Sequence, residues 1–218
     1  MSQSSVTTVA CPKCGHAQEF TTWNSINVAL NPEKKAELKN GTLTRFVCEQ
    51  CSDASEVNYP ILYHDPEQQF MIWMNSDREA LAFGGVSLGD VLNGYRLRLV
   101  ESRNQLVEKT HIFENHFDDL TMELFKASMT AVAKGVPDGE LLFGGLGKGQ
   151  GDAVELQFAV LSESGTQFIG TTREAFEDTV ESLGPMVDSE PLEVGKWHRI
   201  DTEWADGVLE RFMPQDPS

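Results

Sequence analysis

The alternation of apolar and polar residues predicts a sheet and then a pair of helices in the first part of the chain. YRLRLV at 95–100 alternates apolar residues with two arginines, which indicates a half-buried strand with a basic outer face. Ser102 and Gln105 have the spacing of a capping box, so a helix begins there. Apolar residues then recur at helical spacing from 117 to 132, and KGVP at 134–137 ends this second helix.

Shorter elements precede this region. Strand-like runs lie at 22–30, 42–48, 57–63 and 70–74. Between the first two runs, Asn31 is a capping residue, Pro32 suits the first helical position, and Asn40-Gly41 ends the helix. The sequence therefore predicts a strand, a short helix and a second strand before residue 48.

A second strand-rich segment occupies the C-terminal part. ELLF, AVELQFAVL and GTQFIGT predict an antiparallel sheet, and FGGLGKGQGD at 143–152 is expected to be a hairpin loop. Its glycines do not keep the spacing of a phosphate-binding or dinucleotide-binding loop. Thr172 caps a helix predicted over 173–183, and a loop is expected at 184–195. WHRIDTEWADGVLERF predicts a short strand and a final helix.

The four cysteines form two Cys-x-x-Cys pairs. They are Cys11, Cys14, Cys48 and Cys51. A two-residue gap lets one tight turn direct two thiolates at one ion, and two such turns complete a tetrahedral shell. Gly15 tolerates the positive φ of such a turn, and Pro12 restricts its backbone. We therefore predict one structural Zn²⁺ per chain, held by these four residues.

Redox chemistry and an iron–sulfur site are the alternatives to zinc. A thioredoxin-like active site needs a single Cys-x-x-Cys at a strand-to-helix junction, whereas this chain has two matched pairs. Thiolates also ligate iron–sulfur clusters. His16 follows the first pair and offers a further ligand. Because four thiolates are present, we expect His16 at the surface or behind the ligands.

The residues from Cys11 to Lys126 carry a family resemblance. CPKCG, WNSINVALNP, GTLTRFVCEQC and ILYHDPEQQFMIWM, followed by YRLRLVESRNQLVEKTHIFENHFDDLTMELFK, resemble the CpXC family of bacterial and archaeal proteins. The second pair departs from the family pattern, because CEQC has no proline inside it and no glycine after it. The resemblance implies a metal-binding domain and supplies no reaction.

Charge is distributed unevenly along the chain. Up to Lys109 there are 10 basic and 13 acidic residues, a net of −3, whereas 110–218 has 7 basic and 21 acidic residues, a net of −14. A surface that acidic repels phosphate backbones and anionic lipid. No apolar run is long enough to span a bilayer, and MSQSSVTTVA lacks the basic and apolar regions of a secretory signal. We therefore expect a cytoplasmic protein with reduced thiols and no membrane partner.

An acidic group of residues offers an alternative site. It consists of Glu108, Glu114, Asp118, Asp119 and Glu123, with His111 and His116 among them. Asp119, Glu123 and His116 offer ligands for a second divalent ion, or an acid and a base. A solvated helix face explains the same residues, with Asp118 and Asp119 at the positive end of the second helix.

A basic group keeps nucleic-acid binding open. It consists of Lys34, Lys35, Lys39, Arg45, Arg78, Arg96, Arg98, Arg103 and Lys109. Trp23 or Trp73 nearby would stack with bases, although acidic neighbours nearly cancel the positive charge. We expect the arginines to pair with the acidic helices instead.

The predicted fold class is α+β. A zinc ribbon-like N-terminal part continues into the sheet and the helical pair, forming a CpXC-like zinc-binding domain over 1–135. A small acidic αβ domain occupies 136–218. The favoured function is a non-catalytic module that binds an unknown protein partner or itself. The alternatives are a metal-dependent enzyme that uses the acidic helix cluster and a nucleic-acid-binding zinc ribbon.

Overall fold

The structure, a computed structural model, describes residues 1–77, 92–132, 138–149 and 153–212. The chain divides into two compact units. Unit 1 consists of Met1–Val107 with Val194–Trp197, and unit 2 consists of Glu108–Glu193 with His198–Ser218. The described residues contain sheets and five helices, so the predicted α+β class is confirmed. None of the helices in these ranges combines the length and the apolar character needed to cross a bilayer.

Unit 1 contains a five-stranded mixed sheet and a separate hairpin. The strands are β1 (Gln3–Ala10), β2 (Ala17–Asn27), β3 (Arg45–Val47), β4 (Ala54–Glu56), β5 (Ile61–Asp65), β6 (Phe70–Met74) and β7 (Arg96–Val100). The sheet has the order β1-β2-β5-β6-β7, and β3 pairs with β4 in the antiparallel hairpin. Ile26, Tyr63 and Ile72 are register partners on three neighbouring strands and are fully buried, so this face of the sheet is core.

The observed strands differ in extent from the predicted ones. The strand at 70–74 is as predicted, whereas the run at 57–63 becomes a strand only from Ile61. Strand β1 was not predicted, because nearly all of its residues are exposed and it shows no apolar alternation.

Strand β7 corrects the prediction of a basic outer face. Leu97, Arg98, Leu99 and Val100 are all buried, and Arg98 is only 4% exposed. The Arg98 guanidinium donates to the carbonyl of Leu97 at 3.1 Å. This strand runs parallel to β6, and strands in parallel arrangements are commonly buried on both faces. The alternation of arginine and leucine therefore does not produce a solvated side here.

The predicted short helix is α1 (Pro32–Lys39). Pro32 occupies its first turn, where a missing N–H is not needed. Asn31 is at the N-cap position, but its side chain accepts no hydrogen bond from the helix N–H groups, so the predicted capping bond is not formed; its Nδ2 donates to Glu33 Oε1 at 3.2 Å. Gly41 follows the helix with φ +79, a left-handed conformation that reverses the chain toward β3.

Unit 2 combines helices with a three-stranded antiparallel sheet. The elements are α2 (Arg103–Glu114), α3 (Asp119–Val132), β8 (Glu140–Lys148), β9 (Val154–Ser162), β10 (Gly165–Thr172), α4 (Arg173–Asp188) and α5 (Thr202–Phe212). The sheet order is β10-β9-β8, which confirms the predicted antiparallel sheet. Phe125 packs against Phe158 and Phe176 with ring centroids 5.9 and 4.8 Å apart, so an aromatic cluster forms the core.

The division between the two units lies within α2. Most of the helical pair therefore groups with the C-terminal sheet, whereas the sequence pattern placed it with the N-terminal sheet. That residues 1–135 and 136–218 fold as two independent domains stays a prediction.

Helices α2 and α4 begin at the predicted caps. Ser102 Oγ accepts from the Gln105 N–H at 3.2 Å, and Thr172 Oγ1 accepts from the Ala175 N–H at 3.2 Å. Helix α4 continues to Asp188, so the loop predicted from 184 begins too early. Buried Leu183 anchors the stretch that leads into this last turn.

Strands β8 and β9 form the predicted antiparallel pair, but the glycines of the glycine-rich segment begin inside β8. Strand β8 extends to Lys148, with an irregular register between Phe143 and Gly145. The Gly149 N–H donates to the Ala153 carbonyl at 2.7 Å, and residues 150–152 of the predicted loop lie outside the described residues. The predicted loop at 143–152 is therefore too long at its N-terminal end.

Candidate metal centre

Each Cys-x-x-Cys pair forms a tight turn with the same backbone hydrogen bonds. In the first turn, the Gly15 N–H donates to the Cys11 carbonyl at 2.9 Å, and the Cys11 N–H donates to the His16 carbonyl at 2.8 Å. In the second turn, the Ser52 N–H donates to the Cys48 carbonyl at 2.9 Å, and the Cys48 N–H donates to the Asp53 backbone carbonyl at 2.9 Å. The two turns are local structural equivalents.

Ser52 takes the role that Gly15 has in the first turn. Gly15 has φ +74, and Ser52 has φ +57 in the same left-handed region. The second pair has no glycine after it. The backbone nevertheless adopts the same conformation, at the small cost that a side chain adds in this region.

The two turns bring the four cysteine sulfurs together. The first turn joins β1 to β2, and the second joins β3 to β4. Cys11 Sγ lies 3.7 Å from Cys51 Sγ, and Cys14 Sγ lies 3.6 Å from Cys48 Sγ. All four sulfurs lie within 4.8 Å of one another. Both short distances connect one turn with the other.

These distances fit thiolates around one metal ion. With Zn–S bonds of about 2.3 Å, the sulfurs of a tetrahedral shell are about 3.8 Å apart. A disulfide needs about 2.05 Å between its sulfurs, and all four cysteines are free thiols. The four cysteines are therefore a cluster that is able to hold a metal ion.

A small apolar cluster packs against the two cysteine turns. Cys11, Phe46 and Cys48 are buried at 3%, 1% and 1% exposure, and Phe20 packs against them. The rings of Phe20 and Phe46 lie 6.2 Å apart. One cysteine of each turn is therefore fixed by packing, whereas Cys14 is exposed.

The thiols influence one another's ionisation. Hydrogen bonding from the Cys14 backbone lowers the pKa of Cys11 to about 7, against the opposing effect of burial. The Asp53 backbone favours the thiolate of Cys51, but burial and the three neighbouring cysteines raise the pKa of Cys51 to about 12. The Cys11 thiol therefore loses its proton readily, whereas the formation of a second thiolate at Cys51 is unfavourable. A divalent cation bound by the sulfurs would stabilise the additional thiolates.

Lys13 and Asp53 connect the two turns at the surface. Lys13 Nζ lies 3.2 Å from Asp53 Oδ1, and the lysine side chain is 65% exposed. An ion pair this exposed contributes little to stability. His16 is partly exposed and contributes its backbone carbonyl to the first turn, while the converging ligand atoms are the four cysteine sulfurs.

A model of the CpXC protein family matches residues 9–126. The chain belongs to the CpXC family. The matched range contains both cysteine turns and reaches into helix α3. A search of curated proteins and a search of solved structures each found no match. The family membership confirms the resemblance read from the sequence, and it adds no reaction to it.

In this CpXC chain the acidic group does not converge on a second site within the described residues. Asp119 and Glu123 are 0% and 1% exposed. Lys109 Nζ lies 3.2 Å from Asp119 Oδ2 and 3.0 Å from Glu123 Oε1. His116 is exposed, with φ +59, in the turn between α2 and α3. The carboxylates proposed as metal ligands are therefore bound to a lysine.

The expected solvated helix face is correct for Asp118 and wrong for its buried neighbours. Asp118 is exposed, and its Oδ2 accepts from the Thr121 N–H at 2.8 Å, which caps α3. Lys126 Nζ lies 2.7 Å from Glu108 Oε1 and 2.8 Å from Glu123 Oε2. We call the five interior charges the buried ion network: Glu108, Lys109, Asp119, Glu123 and Lys126.

The environment shifts the ionisation of this network. Burial raises the pKa of Glu108, although Lys126 opposes the shift. Burial also disfavours the charged form of Glu123, but Lys109 and Lys126 outweigh it and lower the pKa of that carboxyl. The carboxylates of Glu108, Asp119 and Glu123 outnumber the two ammonium groups. The raised pKa of Glu108 reduces this excess of negative charge.

The basic group is divided among separate partners. Arg103 Nε lies 2.9 Å from Glu56 Oε1, so its partner is on strand β4 and not on an acidic helix. Lys34 Nζ lies 4.8 Å from the centre of the Trp23 ring. Arg78 lies outside the described residues. Arg103 and Lys34 therefore each contact groups of the protein itself.

Sequence reasoning missed Lys126 as a functional neighbour of the acidic residues. Its only local signal is the three-residue spacing from Glu123, which places both on one side of α3. The same spacing is common on solvated helix faces, so burial was not predictable from it.

Proposed function

We propose that the protein is a non-catalytic CpXC module with a structural Zn²⁺, and that it binds a protein partner or a second copy of itself in the cytoplasm. The observation that carries the proposal is the convergence of four cysteine sulfurs within 4.8 Å on two matching turns. Cys11, Cys14, Cys48 and Cys51 would hold the ion.

A structural ion suits this set of ligands better than a catalytic one. Four protein thiolates close a tetrahedral shell, whereas catalytic zinc keeps one position for water or substrate. The ion would fasten the β1–β2 turn to the β3–β4 turn. These turns are 34 to 40 residues apart in the chain, so the ion would close a long loop.

The buried ion network supports a function without catalysis. A general base must be within hydrogen-bonding reach of a substrate proton. Asp119 and Glu123 are at most 1% exposed and are engaged by Lys109. A cavity of about 270 Å³ is lined by one member of the network, Lys126, and by six further residues, but not by Asp119 or Glu123: Ala127, Thr130, Gly139, Glu140, Leu141 and Thr202.

Exposed apolar residues support a role in protein binding. Val6 in β1 is 63% exposed and Val47 in β3 is 47% exposed, within unit 1. Each side chain offers apolar surface that a protein partner would remove from water. The excess negative charge of the chain, −17, disfavours nucleic acid and anionic membranes as partners.

Elemental analysis of freshly purified, reduced protein tests the metal. We expect one zinc per chain. In Cys48→Ala the zinc is lost and hydrogen exchange rises over 11–59, while 140–212 keeps its protection, because the sheet of unit 2 does not depend on the turns. The matched control is Ser52→Gly, which keeps the left-handed turn and should keep its zinc.

Two results would contradict the proposal. One is protein without stoichiometric metal whose cysteines form reversible disulfides, which would indicate redox chemistry. The other is stoichiometric iron in place of zinc, which would indicate electron transfer or an iron–sulfur site. Catalysis by the acidic group would be indicated by loss of a substrate-dependent activity in Asp119→Asn with the zinc retained.

A further inference from the structure

Among the described residues, no strand pairs with the second hydrogen-bonding edge of β1. It is the first strand of the five-stranded sheet and pairs with β2 on one side. The Ser5 carbonyl faces β2, because it accepts from Thr22 Oγ1 at 3.2 Å. Backbone groups alternate in direction along an antiparallel strand. The N–H and C=O groups of Ser4, Val6, Thr8 and Ala10 therefore point away from β2, and no described residue pairs with them.

This edge lacks the features that prevent pairing in most proteins. Natural edge strands carry charges, proline or bulges that block a further strand. The β1 sequence QSSVTTVA has neither charge nor proline, in a chain with 34 acidic and 17 basic residues. Its one irregularity lies at the end, between Gln3 and Ser4. The stretch from Ser4 to Ala10 is regular and accessible.

The edge strand of unit 2 is less suitable. A Cβ on Gly170 of β10 would lie 2.9 Å from Glu155 Oε2, so a carboxylate extends over that strand. Two of the eight residues of β10 are glycines, which weaken strand pairing. Strand β10 thus has a carboxylate beside it and glycines within it, whereas β1 has neither a charged residue nor a glycine.

We propose that two copies of the chain pair through β1 in antiparallel orientation, with the two-fold axis at Thr7. This inference deepens the proposed function, on which it rests, by naming a second copy as the partner. Val6 of one copy then lies opposite Thr8 of the other, and Ser4 lies opposite Ala10. Each pair exchanges two hydrogen bonds, about eight in total, and the two sheets become one.

This register is the one that uses every outward-facing group. A shift by two residues leaves Ser4 or Ala10 without a partner, and a shift by one opposes groups that already bond to β2. On the other face of the pair, Thr7 meets its own counterpart and Ser5 meets Val9. All facing side chains are small and uncharged, so the acidic character of the chain does not act across the contact.

Charge placement tests the register directly. We expect sedimentation equilibrium to show a dimer of wild-type protein at micromolar concentrations. Val6→Lys/Thr8→Lys opposes like charges at both facing pairs and weakens the dimer about 10- to 30-fold. Val6→Glu/Thr8→Lys opposes a carboxylate and an ammonium at the same positions and keeps the dimer. Thr166→Lys/Phe168→Lys on β10 is the matched control and keeps it as well.

Amide exchange provides a readout that a different dimer would not give. In the wild-type dimer, the amides of Ser4, Val6 and Thr8 exchange slowly, and they become fast in Val6→Lys/Thr8→Lys. The amides of Thr7 and Val9 bond to β2 and stay protected in both proteins. The alternation of affected and unaffected amides identifies pairing through this edge.

A monomeric wild-type protein, or a dimer whose dissociation constant is unchanged in Val6→Lys/Thr8→Lys, would overturn the inference. So would loss of the dimer in the β10 control. Zinc content is measured in the same samples. A monomer that contains zinc contradicts only the β1 pairing, whereas a dimer without zinc contradicts only the metal proposal.

Discussion

Replacing Lys126 with methionine isolates the buried ion network. The Lys126 ammonium lies 2.7 Å from Glu108 Oε1 and 2.8 Å from Glu123 Oε2, and all three side chains are at most 5% exposed. Methionine keeps most of the apolar volume of the lysine and removes its charge. Two carboxylates then remain in the interior of unit 2 without this cation.

The cost follows from uncompensated charge in the interior. Removing one partner of a buried ion pair costs about 3–5 kcal/mol, because the remaining charge has lost its water and its counterion. With a denaturant slope of about 2 kcal/mol per M, the midpoint of urea unfolding falls by about 2 M. Trp204 lies in α5 and reports on unit 2, provided that the other tryptophans are replaced by phenylalanine.

An exposed ion pair in the same unit provides the control. Arg173 Nε lies 2.8 Å from Glu177 Oε1, with side chains 58% and 61% exposed. Arg173→Met should cost no more than about 0.5 kcal/mol. Lys126→Met/Glu108→Gln should recover at least about 1 kcal/mol, because replacing both partners leaves less uncompensated charge. If Lys126→Met costs no more than Arg173→Met, the network does not stabilise the fold.

Further outcomes concern packing, the first cysteine turn and pH. Phe176→Ala should cost unit 2 about 3–5 kcal/mol in urea unfolding, because its ring lies 4.8 Å from that of Phe125; a cost below about 1 kcal/mol contradicts this packing. Gly15→Ala, at φ +74, should weaken zinc retention against a chelator by about 1–2 kcal/mol, whereas Gly184→Ala in α4 should not. Burial raises the pKa of Glu108 above its ordinary value of 4.5, although Lys126 opposes the shift. The bound proton of Glu108 therefore contributes its full free energy of unfolding below pH 4.5, and this contribution is lost as pH rises through the raised pKa. Glu108→Gln should remove this loss when urea unfolding is compared from about pH 5 to about pH 8, and an unchanged pH dependence contradicts the assignment.

Regular elements with a strong local signal were predictable. The alternating apolar residues of Phe70–Met74 and the capped helix after Thr172 depend on neighbours within one or two turns of chain. The hairpin of β9 and β10 and the final helix have signals of the same kind. In each case the residues that form the element also determine its type.

The predictions for strand β1 and for Arg98 of β7 were wrong for opposite reasons. Strand β1 is exposed along nearly its whole length, so burial leaves no periodic signal in its sequence. Arg98 has the residue type of an outer face but is buried. Both outcomes depend on which elements cover a strand, and this is settled by contacts distant in sequence.

The sequence by itself determined the ligand chemistry of the candidate metal centre. A gap of two residues fixes the size of each turn, and four cysteines fix the type of donor atom. Only the tertiary structure brought Cys14 and Cys48 to 3.6 Å across 34 residues. It also decided that Asp119 and Glu123 meet Lys109 in the interior rather than water or a metal ion. Spacing along the chain controls local geometry, whereas burial and long-range pairing depend on how separate elements pack, which no single segment encodes.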